Sequence, residues 1–307
     1  MASTAPLLEG LRAADPALPA ALSEFDRIAG AASPAPDFVE WSAHFGVGAC
    51  DAARLTYYFD AGAHGDAGLR AAGERFVALS RALSVELPRA VLDAYAALVP
   101  AAEEVLQVVL GIDERAEGRR LKLYVVLRDA APALVDGLLD AVAAGRGAEL
   151  DPSKVYILGL DFCGAGLADA KLYFRLDRAR LRRSVANLRD VAELFSATRE
   201  VVLQRCLLRD RSQLYLHADN PAAIGRYLLR RGDAPAAELV RRHDQVARAL
   251  PRGRLEPWIV SFGYRDHRLL LDEGNVYFHL HGADERTPSD GAAGETGGGH
   301  PRPRPLS

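Results

Sequence analysis

The chain has 307 residues, which fits one large domain or two ordinary ones. Its 38 Lys+Arg against 41 Asp+Glu leave a formal net charge of −3, which argues against a nucleic-acid partner, since that affinity needs a clustered basic excess. Hydrophobic residues make up 49%, enough for a packed core, and no apolar run reaches the ~18 residues of a membrane span. Cys50, Cys163 and Cys206 are widely spaced and form neither a disulfide framework nor a CxxC metal pair. No basic n-region followed by an apolar h-region opens the chain, so the expectation is a reduced, cytoplasmic protein with no membrane partner.

In chain order, Ala/Pro-rich residues 1–36 read as a helical or irregular lead-in. Five pairs of strand-like segments follow. They are Phe38–Phe45 with Arg54–Asp60, Val105–Ile112 with Leu121–Arg128, and Val155–Cys163 with Ala170–Leu176. Val201–Leu208 pairs with Gln213–His217, and Trp258–Tyr264 with Asn275–His281 across a turn ending in Asp272-Glu273-Gly274. Between the pairs, Asp66–Leu83, Ala130–Ala144, Arg178–Ala197, Pro221–Arg231 and Pro235–Leu250 carry apolar residues at helical spacing. Beyond them, residues 284–307 hold Gly297-Gly298-Gly299 and alternating Pro and Arg, a composition expected to be disordered. No hairpin with its helix hides its apolar surface alone, so residues 37–283 are expected to form one α+β domain. Ten antiparallel strands would close into a barrel that encloses a lumen, with the helices outside.

The second strand of each pair repeats a pattern: Arg54-Leu55-Thr56, Lys122-Leu123-Tyr124, Lys171-Leu172-Tyr173, Gln213-Leu214-Tyr215 and Asn275-Val276-Tyr277. Residues i and i+2 share one strand face, so the hydrogen-bond donor and the hydroxyl point together and the aliphatic residue points away. The aliphatic face suits burial under helices, which turns the donors and hydroxyls into the lumen. A single Lys-x-Tyr is an ordinary solvated strand face; the recurrence in five hairpins is what carries the lumen reading.

Lysine and arginine among phenols dock a diphosphate, and the phenol rings attract a cation. Both are needed for ionisation of an allylic diphosphate. Arg54, Lys122 and Lys171, with Gln213, are expected at the diphosphate, and Tyr124, Tyr173, Tyr215 and Tyr277 around the allyl cation. Glu40, beside Trp41, is the candidate general base for the acceptor's proton, against the alternative of a surface strand glutamate. Trp41, Trp258 and His279 are the expected acceptor pocket, and Val201–Leu208, including Cys206, the strand expected to bear on donor length. His279-Leu280-His281 puts two histidines on one face without an identified third metal ligand. No aspartate-rich DDxxD motif, P-loop or GxGxxG is present, so no metal-binding residues are assigned.

These segments resemble the ABBA prenyltransferases, and among them the cyanobactin-type enzymes that modify ribosomal peptides. The resemblance spans about Phe38 to His281 and rests on Phe38-Val39-Glu40, Ala53–Phe59, Leu121–Tyr124, Leu158–Phe162, Gln213–Tyr215 and Pro257–Val260. It implies a ten-stranded ABBA barrel and a monomer that transfers a dimethylallyl or geranyl group from its diphosphate to a side chain of a cyclic ribosomal peptide. It also implies Glu40 as general base, Arg54, Lys122 and Lys171 as diphosphate-binding cations, the tyrosines as a shield, and Mg2+ supporting activity. The alternatives are a small aromatic or indole acceptor, or a non-catalytic barrel for a hydrophobic ligand. Asp169 stands where fungal indole prenyltransferases carry a basic residue, which puts Arg175 or Arg205 forward as the compensating cation. Tyr277, His279 and His281 stand where cyanobactin-type members have an arginine and tyrosines.

Overall fold

Alternation of buried aliphatic and polar residues along every second strand fixes which way each sheet face turns. The computed structural model describes residues 5–14, 20–30, 35–46, 49–115, 118–129, 131–143, 151–250 and 254–281. The tail expected over 284–307 lies outside the described residues. The strands are β1 Phe38–Gly46, β2 Ala49–Asp60, β3 Val105–Arg115, β4 Gly118–Leu127, β5 Val155–Cys163, β6 Gly166–Leu176, β7 Thr198–Cys206, β8 Ser212–Ala218, β9 Arg254–Arg265 and β10 Arg268–His281. Each pairs antiparallel with its chain neighbours, and β10 returns to β1 to close the barrel. No strand in the closed ring is left with an open edge, which removes the hazard of edge-to-edge association.

Helices cover the outside: α1 Ala5–Ala14, α2 Ala20–Ala29, α3 Ala61–Ala82, α4 Arg89–Leu98, α5 Pro132–Ala143, α6 Arg178–Ser184, α7 Ala192–Ser196, α8 Pro221–Arg231 and α9 Ala234–Ala249. Leu55, Leu123, Leu172, Leu214 and Val276 point outward into the core beneath them and are at most 2% exposed. Asp60, Asp177, Asn220 and Asp233 cap α3, α6, α8 and α9, their side-chain oxygens accepting first-turn N–H groups. All hairpin turns therefore lie at one end of the barrel and the helical crossings at the other.

Two sequence expectations change. The stretch Arg178–Ala197 is not one helix: Val185 is extended, and a 3-10 turn separates α6 from α7. The last hairpin turns at Asp266 and His267, whose φ values of 47° and 59° are left-handed, and not at Asp272-Glu273-Gly274. That segment is a bulge in β10, where the register jumps between Leu270 and Gly274. A Cβ on Gly274 would lie 2.4 Å from the Ser261 carbonyl oxygen, so the glycine is what lets the strands stay paired there.

Candidate active site

Inward side chains form successive layers, about 7 Å apart, because alternate residues of a strand share one face. Together they enclose a cavity of about 330 Å³. Towards the hairpin turns, Arg54 on β2, Asp113 on β3, Lys122 on β4, Asp161 on β5 and Lys171 on β6 form a row of alternating sign, with Arg120 on β4 and the buried Asp169 on β6 one step nearer the turns. Asp113 Oδ2 lies 3.1 Å from Arg54 and 3.5 Å from Lys122. Asp161 Oδ2 lies 3.1 Å from the Lys122 Nζ and 2.5 Å from the Lys171 Nζ. Arg54 also donates to Asn275 Oδ1, at 3.4 Å. Burial pushes Lys122 down to about 7 against the upward pull of Asp161, while the two lysines hold Asp161 well below the ordinary carboxylate range despite its burial.

The next layer is aromatic. Tyr124, Tyr173, Tyr215 and Tyr277 follow one another around the wall with ring centroids 6.1, 5.7 and 5.7 Å apart. Tyr173 and Tyr215 both donate to Gln204 Oε1, at 3.1 and 2.7 Å, Tyr215 is also placed to donate to Gln213 Oε1 at 3.0 Å, and Tyr277 donates to Tyr215. Burial raises Tyr124, Tyr173 and Tyr215 well above the usual phenol range, so the rings are neutral and electron-rich towards the lumen. Gly159 leaves room for them: a Cβ there would lie 2.7 Å from the Tyr124 ring.

Glu40 lies beyond the tyrosines, towards the helical crossings. It is 3% exposed, and its Oε2 accepts from Tyr58 Oη at 3.2 Å and Trp258 Nε1 at 3.1 Å. Burial lifts its pKa to about 8, with Tyr58, Arg54 and Trp258 opposing the rise. Phe38 stacks on Tyr58 at 3.8 Å and meets Trp258 edge-on at 5.8 Å, and His279 approaches Phe38 to 4.6 Å. Burial and His281 depress His279 to about 3, which leaves it neutral. The arrangement is an aromatic box with one proton-accepting carboxyl.

Thus Glu40, Arg54, Lys122, Lys171, Gln213 and the four tyrosines line one cavity, and Trp258 with His279 stands around Glu40. One expected residue lies outside the cavity, and another lines it away from the lysines. Trp41 is outside the lumen, because strand alternation turns it away from its neighbour Glu40; it is 0% exposed and stacks on Phe278 at 4.7 Å. Arg175 lies past the tyrosines, at the far end from the lysines, paired with Glu200 at 2.7 Å and set 4.2 Å over the Tyr156 ring. Arg205 is exposed, and the cation that meets Asp169 is Arg209, at 3.8 Å. Glu200, Val202, Gln204 and Cys206 line the cavity from one face of β7.

Sequence reasoning missed Asp113 and Asp161 as partners of the cations, and Arg120, Arg209 and Arg211 at the hairpin end of the cavity. The two-residue spacing of Asp113 from Gly111 was the available signal, hidden because Asp113–Arg120 reads as a polar turn. Among the described residues no group of three or more His, Cys, Asp or Glu is placed to hold a metal ion.

A closed ten-stranded antiparallel barrel with helices outside is the architecture of the ABBA prenyltransferases. Solved structures similar to it include the 5-dimethylallyltryptophan synthase from Streptomyces coelicolor, at 16% identity and a TM-score of 0.63, over 92% of this chain and 96% of that one. The NotF prenyltransferase is similar at 13% identity and a TM-score of 0.51, over 83% of each chain. No protein-family model matches the sequence, and no curated protein matches it.

Proposed function

We propose that the protein is a prenyltransferase that ionises an allylic diphosphate and delivers the allyl group to an aromatic acceptor. The observation that carries this reading is the order of the layers along one lumen: cations, then tyrosines, then a buried carboxyl in an aromatic box. Arg54, Lys122 and Lys171 bind the diphosphate and stabilise the charge that develops as the C–O bond breaks. The tyrosine faces hold the allyl cation, and the closed wall keeps water from it. The acceptor attacks the allyl carbon, its proton passes to Glu40, and pyrophosphate leaves.

Phe38, Tyr58, Trp258 and His279 favour a flat acceptor ring stacked beside Glu40. The cyanobactin-type resemblance supports a side chain of a cyclic ribosomal peptide, and the solved neighbour named for dimethylallyltryptophan synthesis supports an indole. Asp113 and Asp161 are engaged by cations, so the described donor set does not fit a protein-held Mg2+. Dimethylallyl and geranyl diphosphate, each offered with an aromatic-containing cyclic peptide and with free indoles, test the reading by mass spectrometry. A prenylated product with either acceptor class supports transfer. No product, together with no thermal stabilisation by an unreactive thio-analogue of the donor, would favour a non-catalytic barrel.

A further inference from the structure

The charge ring poses a problem for an anion site. Within the alternating row three cations and two carboxylates sum to +1; Arg54 is partly exposed and the other four are buried. Asp161 is the most constrained of them. One of its oxygens takes both lysines, and the other, Oδ1, is buried with no hydrogen-bond partner. A carboxylate placed only to neutralise the lysines would be expected to use both oxygens.

We propose that Asp161 is a positioning residue for the donor site: it gathers Lys122 and Lys171 onto one point, favours the charged form of Lys122, and releases both side chains to diphosphate oxygens when the donor enters. This inference rests on the donor reading given above. Two ammonium groups brought together without an anion between them repel, and in a buried site one of them sheds its proton. A neutral amine is no longer a charged donor to phosphate. With the donor present, the diphosphate supplies the negative charge that Asp161 supplies in its absence, so the exchange conserves the pairing of both lysines.

The groups facing Lys122 are Asp113 from β3, Arg54 from β2, Asp161 from β5, Lys171 from β6 and Tyr124 on its own strand. Only the two carboxylates hold its proton on, and Asp161 is the stronger of them; Lys171 and Arg54 push it off. Asp113 carries the same duty for Arg54, whose guanidinium stays charged in any case. The position sensitive to loss of an acid is therefore Lys122, and the acid is Asp161.

The experiment measures the dissociation constant of an unreactive thio-analogue of dimethylallyl diphosphate against pH, for the unaltered protein, Asp161→Asn and Asp161→Glu. In the unaltered protein, binding should weaken by up to about tenfold per pH unit above about pH 7. In Asp161→Asn the same weakening should begin at least about one pH unit lower, giving a loss of roughly tenfold or more at neutral pH. Asp161→Glu should restore part of the range. Equal or tighter binding of Asp161→Asn at every pH would overturn the proposal, because it would make Asp161 a mere competitor of the diphosphate. Should Asp161→Asn fail to fold, Asp161→Glu, which moves the carboxylate by one methylene, decides the matter. A shifted pH profile of analogue binding is expected, and a profile identical to that of the unaltered protein overturns the proposal. An unaltered protein that binds no analogue would refute the donor reading itself, whereas binding with an unshifted pH profile refutes only the role of Asp161.

Discussion

Glu40 costs the folded chain stability in order to be available as a base. Its folded pKa of about 8 exceeds the ordinary carboxyl value of 4.5, so between those values the folded state holds a proton that the unfolded chain has released. Stability should fall as pH rises from about 4.5 to about 8, and Glu40→Gln should melt higher than the unaltered protein above that range. Turnover should change in the opposite sense. The ionised carboxylate is the base, so kcat at saturating donor should climb with pH and level off above about 8, and Glu40→Gln should lose about 10²–10⁴-fold in kcat with donor affinity nearly unchanged. Unaltered turnover in that variant would remove Glu40 from the chemistry. Lys122→Ala should weaken donor binding by roughly 10–100-fold, the worth of a charged hydrogen bond, and titration with the thio-analogue reads it.

A strand in this barrel performs two unrelated tasks on its two faces, and substitution should separate them. Leu172→Ala opens a void under the helices and should cost about 2–5 kcal/mol in chemical denaturation while donor affinity holds. Gly159→Ala pushes a methyl into the Tyr124 ring, so it should lower both stability, by about 1–3 kcal/mol, and affinity for the donor analogue. The donor–aliphatic–hydroxyl repeat was legible in sequence because it needs only the two-residue period of a strand and a decision about which face meets the helices. That same period was not applied to Trp41, whose neighbour Glu40 points inward and so sends it out to Phe278. Asp113 and Asp161 escaped for a different reason. Their meaning depends on which strands lie side by side, and the pairing of Lys122 with Asp161 spans 39 positions of chain. Arg175 was misplaced along the axis: two steps beyond Lys171 on β6, by way of Tyr173, carry it past the phenols to Glu200.

At the scale of the molecule, closure rests on β10, which pairs with β9 on one side and β1 on the other. A chain ending at Arg265 would leave β1 and β9 with open edges, and should aggregate on expression. A chain ending at His281 keeps every strand pair of the ring and should unfold cooperatively, as circular dichroism would show.

Each level of the interior takes its side chains from many strands, while each strand crosses every level. Remodelling around Glu40 to admit a different nucleophile therefore leaves the lysines of β4 and β6 in place. Variants selected for new acceptors should inherit their isoprenoid supply intact, and a panel of such enzymes could share a single donor feedstock.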